Sequence, residues 1–303
     1  MVSTAVPLYS FNDDSLLSHR ERIAGFLFER TISPDGEDFM DQDHDLWMVL
    51  QAIIRRQSEW ADDVLGLDLS ARSRHMDLWA FPDFDRLVWP DPVISSTAFS
   101  NPLCREIFVS GEVEKRDSLS VLRHEVTHLH AAVGMDLEFG EDGLSYPRSY
   151  IGFQQNAVSD ASRFVAMNEI ATEGIQISSG AYSFPGEEGY LAFGYGGAFV
   201  IFKHIALRYL ERTGGDVSDF LKDYYRANLL GDISFFQRFS DVFGLEALSY
   251  LRDLPVSSAL HNINYRALRS IFGIDMDKFQ DDFIAFEMDD PIETLDRVVI
   301  RQH

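Results

Sequence analysis

The chain has 303 residues, 46% of them hydrophobic and 25% charged, ordinary globular values that argue against a disordered or fibrous protein. Lys and Arg number 26 against 49 Asp and Glu, a formal net charge of −23 that repels phosphate backbones and anionic lipid, so neither a nucleic-acid partner nor membrane insertion is expected. A single cysteine, Cys104, excludes an intrachain disulfide and any cysteine-rich zinc or iron–sulfur centre.

Met1 to Phe11 lacks the basic start and apolar core of a secretory signal. The longest nearly apolar stretch, Tyr190 to Phe202, is interrupted by glycines and too short to span a bilayer. A cytoplasmic location is the default expectation, with export by a signal-independent route left open. Ser15–Arg30 and Phe39–Leu65 carry apolar residues at three- and four-residue spacing and predict helices, separated by the turn signal Ser33-Pro34-Asp35-Gly36. Prolines between Pro82 and Pro102 mark an irregular connection, and Glu106–Gly111 reads as a short strand closed by glycine. Asp117 or Ser118 can cap a helix running to about Gly134. Met135–Asn156, rich in Gly, Pro, Tyr and acid, predicts a long loop, and Ser159–Ser178 a second strong helix. Helical patterns follow at Ala198–Arg212, Val217–Ala227 and Asp275–Glu287. The expected class is α+β with a mainly helical C-terminal half. Residues 1–100 are expected to pack on a core formed by residues 101–303.

The helix expected from Asp117 contains His124-Glu125-Val126-Thr127-His128, an HExxH motif. With about 3.6 residues per turn, positions i and i+4 stand one above the other, so both imidazoles can bind one tetrahedral zinc. Glu125 lies beside them, able to reach a water at the metal without binding the metal itself. Leu119, Leu122, Val126, Leu129 and Val133 form an apolar stripe that mounts the motif on a core-packed helix. His130 points away from the pair and reads as a partly exposed or hydrogen-bonded side chain. With nine histidines, a chance HExxH arises in on the order of a couple of percent of such chains, so further residues must support it.

Support comes from Met167-Asn168-Glu169-Ile170-Ala171-Thr172-Glu173-Gly174, where two carboxylates share a helix face. One can bind zinc while the other orients a ligand histidine; taken alone, such a pair reads as solvated surface glutamates. The combination resembles the gluzincins, zinc metallopeptidases with a zincin-like catalytic core whose HExxH is joined by a glutamate from a following helix. Two patterns within that group fit. In thermolysin- and neprilysin-like enzymes the ligand glutamate precedes an acid by four residues, which makes Glu169 the ligand and Glu173 its support. In aminopeptidase N-like enzymes a Glu-Gly pair marks the ligand, which makes it Glu173. The Tyr195-Gly196-Gly197-Ala198 start of the next long helix resembles the second pattern and tilts the choice to Glu173. The separation from His128, 41 residues to Glu169 and 45 to Glu173, departs from the compact gluzincins by roughly a factor of two.

The resemblance implies one zinc per chain on His124, His128 and Glu173, and a peptide or protein substrate. Glu125 takes a proton from the attacking water and returns it to the leaving amine. It also implies that Tyr195 donates to the developing oxyanion, with Tyr190, Tyr182 and His204 as alternatives. Endopeptidase action is favoured because no exopeptidase recognition segment is visible, and the acidic surface favours basic substrates. Asp136 is a weaker candidate third ligand, and Cys104 a weaker candidate for a deformylase-like site. The rival of another class is a catalytically inactive zincin-fold binding module, against which the presence of Glu125 argues. Substrate identity and oligomeric state are not legible.

Overall fold

The computed structural model describes residues 37–38, 44–73, 76–81, 98–101, 105–110, 115–139, 145–157, 160–179, 196–256 and 263–280. The expected helix Ser15–Arg30, Cys104, and the tyrosines at 182, 190 and 195 lie outside them. The chain divides into two compact units, Met1–Pro147 and Arg148–His303. Its class is mixed helix and sheet, with helix predominating.

In the first unit, α1 (His44–Leu65) follows the two-residue strand β1 (Glu37–Asp38). Its apolar positions Leu50, Ile53, Ile54, Trp60, Ala61 and Leu65 recur on one face, and all are buried. Gly66, at φ 63°, ends it: the Gly66 amide donates to the Asp62 carbonyl at 3.0 Å and the Leu67 amide to Ala61 at 3.0 Å. This paired closure needs the left-handed conformation that glycine adopts without a Cβ clash. The strands β2 (Asp77–Phe81), β3 (Ala98–Asn101) and β4 (Glu106–Ser110) complete a four-stranded sheet in the order β1-β2-β4-β3. β2 runs parallel to β4 and β3 antiparallel to it, with Ile107 opposite Leu78 on one side and Ser100 on the other. β4 therefore takes its partners from upstream residues. α2 (Lys115–His130) lays Leu122, Val126 and Leu129 against Leu50, Ile53, Ile54, Met76, Ala98 and Ile107, the core of this unit.

The structure departs from three sequence expectations. The HExxH helix starts at Lys115 and stops at His130 rather than near Gly134, which lies in the strand β5 (Val133–Phe139). The segment expected to be a long loop instead forms β5, β6 (Ser145–Ile151) and β7 (Gln154–Ala157), within a second sheet ordered β5-β6-β7-β8. The signal was a two-residue turn, Gly152-Phe153, between segments that pair Ile151 with Gln154 and Ser149 with Asn156. Finally, Ser159–Ser178 is not one helix. Asp160–Arg163 is the strand β8, and α3 spans Val165–Ser178. Phe164 between them sits at φ 57°, its amide donating to the Arg252 carbonyl at 2.8 Å and its ring stacked on Phe236 at 4.9 Å. Tertiary contacts thus hold a left-handed break that a non-glycine residue disfavours locally.

The second unit is built around aromatic rings. α4 (Gly196–Thr213) and α5 (Val217–Leu230) match the expected helices, and a 3₁₀ turn (Ile233–Phe236) leads into α6 (Gln237–Phe243) and α7 (Leu245–Arg252). Asp216 caps α5 by accepting from the Ser218 amide at 2.7 Å. Phe153, Tyr224, Phe235, Phe236 and Phe239 are fully buried, with Phe153 4.7 Å from Phe236 and 5.4 Å from Tyr224 between ring centroids. No helix among the described residues is long and apolar enough to cross a membrane.

The hairpin turn at Gly152 docks on α3. The Asn168 Oδ1 accepts from the Phe153 amide at 3.1 Å and from Asn228 Nδ2 at 2.8 Å. A Cβ on Gly152, at φ 54°, meets Asn168 Oδ1 and approaches Asn228 Nδ2 to 2.7 Å. Gly152→Ala is expected to cost about 2–4 kcal/mol, combining backbone strain with a clash against a hydrogen-bonded pair. Gly214→Ala is the control: its φ is 68° with nothing within 4 Å of the added methyl, so only the strain of about 1 kcal/mol remains. Urea unfolding of the two variants measures the difference.

Candidate metal centre

Successive helical residues turn by about 100°, so α2 presents three distinct faces near its end. Leu122, Val126 and Leu129 occupy the apolar face described above. Arg123, Thr127 and His130 lie on a second, buried polar face, all at 1% exposure or less. His124 and His128 lie on the third, with Glu125 at its edge, about 60° round from His128.

The polar face is fastened to α1 by Gln57. Its Nε2 donates to Thr127 Oγ1 at 2.8 Å and to the Arg123 carbonyl at 3.4 Å, while its Oε1 lies 3.0 Å from His130 Nδ1. Because Gln57 Oε1 can only accept, His130 carries its proton on Nδ1. Its Nε2, 3.1 Å from Ser73 Oγ, is then the acceptor. His130 is therefore the hydrogen-bonded histidine expected from the sequence, and it is fully buried. Burial first, and then the nearby Arg105 and Arg72 guanidinium groups, push its pKa down to about 3, which keeps it neutral.

Two arginines close the C-terminal end of α2. Arg72 Nη1 donates to the His130 carbonyl at 2.7 Å and Arg105 Nη1 to the Leu129 carbonyl at 3.3 Å. Cations here satisfy carbonyls left without amide partners and oppose the negative end of the helix dipole. Arg105 also donates to the Arg72 carbonyl from a left-handed backbone at φ 61°, an observed strain placed beside the motif helix. These contacts, with β5 starting at Val133, are the physical reason the helix stops at His130.

On the third face, His124 Nε2 and His128 Nε2 are 3.0 Å apart, with ring centroids at 4.7 Å and planes inclined at 77°. Two nitrogen ligands on one tetrahedral zinc stand ~3.3 Å apart, so the pair needs little change to share an ion. Without one, the same approach is a hydrogen bond with one nitrogen protonated and the other accepting. His128 and Glu125 are buried and His124 is half-buried.

In the second unit, α3 is buried along nearly its whole length, Glu169 and Glu173 included, at 7% and 8% exposure. The surface-glutamate reading of this pair therefore fails, since carboxylates rarely stay buried without a charge partner, hydrogen bonds or a metal. Gly174, whose position after Glu173 carried the Glu-Gly resemblance, has a packing reason of its own. A Cβ there meets Tyr225 Oη and comes within 2.6 Å of its Cε1, so the ring lies directly against the helix backbone. The glycine thus does not by itself mark Glu173 as a ligand.

No protein family, curated protein or solved structure matches the chain. The gluzincin likeness therefore rests on the residues themselves. Among the candidates, Tyr195, Tyr190, Tyr182 and Cys104 fall outside the described residues, Asp136 is placed in β5 without a described side chain, and His204 is buried beside Phe279 at 5.2 Å. The residues missed by sequence reasoning are Gln57, Arg72 and Arg105. For Gln57 a signal existed: it occupies the apolar stripe of α1, at the spacing of Leu50, Ile53 and Ile54, where a lone amide calls for a buried partner. Nothing local marks the two arginines.

Proposed function

We propose that this chain is a zinc-dependent metallopeptidase in which His124 and His128 hold the ion together with one carboxylate of the Glu169–Glu173 pair, and Glu125 is the general base. One observation carries the reading: His124 Nε2 and His128 Nε2 stand 3.0 Å apart on one face of α2, with the buried Glu125 at the edge of that face. Two imidazoles and a carboxylate are a donor set that suits zinc in a catalytic site, which keeps a further position open. The sequence pattern favours Glu173 as that ligand, with Glu169 as the alternative and the other carboxylate in a supporting role on the same helix.

A bound zinc ion supplies a Lewis acid that polarises a substrate carbonyl. The chain's own residues do the rest. Glu125, buried at the edge of the histidine face, holds the proton taken from the attacking water and delivers it to the leaving amine. The two arginine clamps hold the C-terminal end of α2, on which the histidines are mounted. The substrate proposed is a peptide or protein, cleaved internally.

The deciding experiment is metal content by elemental mass spectrometry on tag-free protein. About one zinc per chain is expected, lost in His124→Ala. Of Glu169→Ala and Glu173→Ala, the change that removes the ligand should weaken zinc affinity more, a supporting role being worth roughly 10–100-fold. Protein that neither contains zinc nor takes it up on addition sinks the metallopeptidase reading.

A further inference from the structure

Resting on that reading, we propose that Gln57 is a positioning residue for the metal centre: through Thr127 it sets the rotation of the HExxH helix about its axis and so the approach of His124 to His128. Three observations on the first unit converge on it. Thr127 directly precedes His128 in the chain, and Gln57 Nε2 holds its hydroxyl at 2.8 Å while that hydroxyl donates to the Arg123 carbonyl at 2.9 Å. The same amide engages His130 Nδ1 at 3.0 Å, so one side chain grips α2 on either side of His128. Both Gln57 and Thr127 are buried, at 1% and 0% exposure, so water cannot replace a lost contact without opening the packing.

An apolar face resists separation of two helices but tolerates small rotations, because burial has little directionality. Hydrogen bonds do not, since they weaken steeply with angle and distance. The apolar contacts of Leu122, Val126 and Leu129 therefore hold α2 down, and the Gln57 amide fixes how it is turned. Rotation by one step of the helix would carry the imidazoles out of register with any third ligand. Gln57 touches neither the ion nor the substrate in this arrangement and acts only through α2.

The test uses Gln57→Leu, Thr127→Val and Thr127→Ser in the full chain, with circular dichroism and a cooperative melt to establish folding. The first readout is the ring-nitrogen spectrum of His124 and His128 in metal-free protein, where the parent should show one protonated and one accepting Nε2. The second is zinc affinity by chelator competition, with zinc ion alone as the probe. Gln57→Leu and Thr127→Val are expected to shift both ring signals and weaken zinc binding by about tenfold or more, while Thr127→Ser, which keeps the hydroxyl, stays near the parent. Thr127→Val is nearly isosteric, so it keeps the test open should Gln57→Leu fail to fold. A lowered melting temperature with unchanged ring signals and unchanged affinity overturns the proposal, since that is the mark of packing alone. If the parent takes up no zinc yet the ring signals still move, the metallopeptidase reading fails and the positioning of the histidine pair stands.

Discussion

Glu125→Gln is expected to retain about one zinc per chain and to lose peptide hydrolysis by roughly 10²–10⁴-fold, the usual contribution of a positioned general base. The amide has nearly the volume and shape of the carboxylate, so a residue buried at 8% exposure keeps its packing. What disappears is the ability to accept a proton. Glu125 sits on the edge of the histidine face, so the substitution separates proton transfer from metal binding in a way that His124→Ala cannot. The measurement is turnover of a peptide substrate by the zinc-loaded protein, normalised to metal content. Turnover at the parental rate would remove Glu125 from the mechanism, and a parallel loss of zinc would make it a ligand instead.

The second large effect is structural. Gly174→Ala is expected to destabilise the protein by about 2–4 kcal/mol, although alanine ordinarily gains about 1 kcal/mol over glycine inside a helix. The clash decides the sign. Tyr225 lies with its Cε1 at 2.6 Å and Cζ at 2.7 Å from the added methyl, and the ring is enclosed, at 1% exposure. Burial raises the phenol's pKa, so its hydroxyl stays neutral. The ring cannot swing aside without losing its contact with Tyr224 at 5.7 Å. In a Tyr225→Leu background the same change should be far less costly, and a double-mutant cycle by urea unfolding reads the coupling. An equal penalty in both backgrounds would mean that the strain lies elsewhere. A stabilised Gly174→Ala would leave no packing reason for the glycine.

The packing of Gly174 against Tyr225 bears on the choice between Glu169 and Glu173. Both lie on α3, both are buried, and four residues separate them. Sequence pattern favoured Glu173 because a glycine follows it. Once Tyr225 accounts for that glycine, the pattern loses its force, and the zinc affinities of the two alanine variants decide between the carboxylates. A motif built from a residue with two possible uses is ambiguous until its neighbours are known.

What the chain determined by itself is what local periodicity and composition encode. The i, i+4 relation puts His124 and His128 on one face of any helix they join, and the apolar stripe of Leu122, Val126 and Leu129 commits that helix to a core. The helices α1, α4 and α5 and the strand β4 follow from spacing, caps and glycine stops that act within a few residues. Tertiary structure decided the rest. Strands β6 and β7 arise from largely polar sequence because a strand's stability comes from its partners, which local pattern does not name, whereas β5 does alternate Val133, Met135, Leu137 and Phe139 with Gly134, Asp136 and Glu138. Phe164 breaks the chain into β8 and α3 because its ring finds Phe236 and its amide finds Arg252, contacts made with residues more than seventy positions away. The end of α2, the neutral state of His130 and the grip of Gln57 likewise depend on groups 24 to 73 residues distant, joined by hydrogen bonds whose direction no one-dimensional pattern carries.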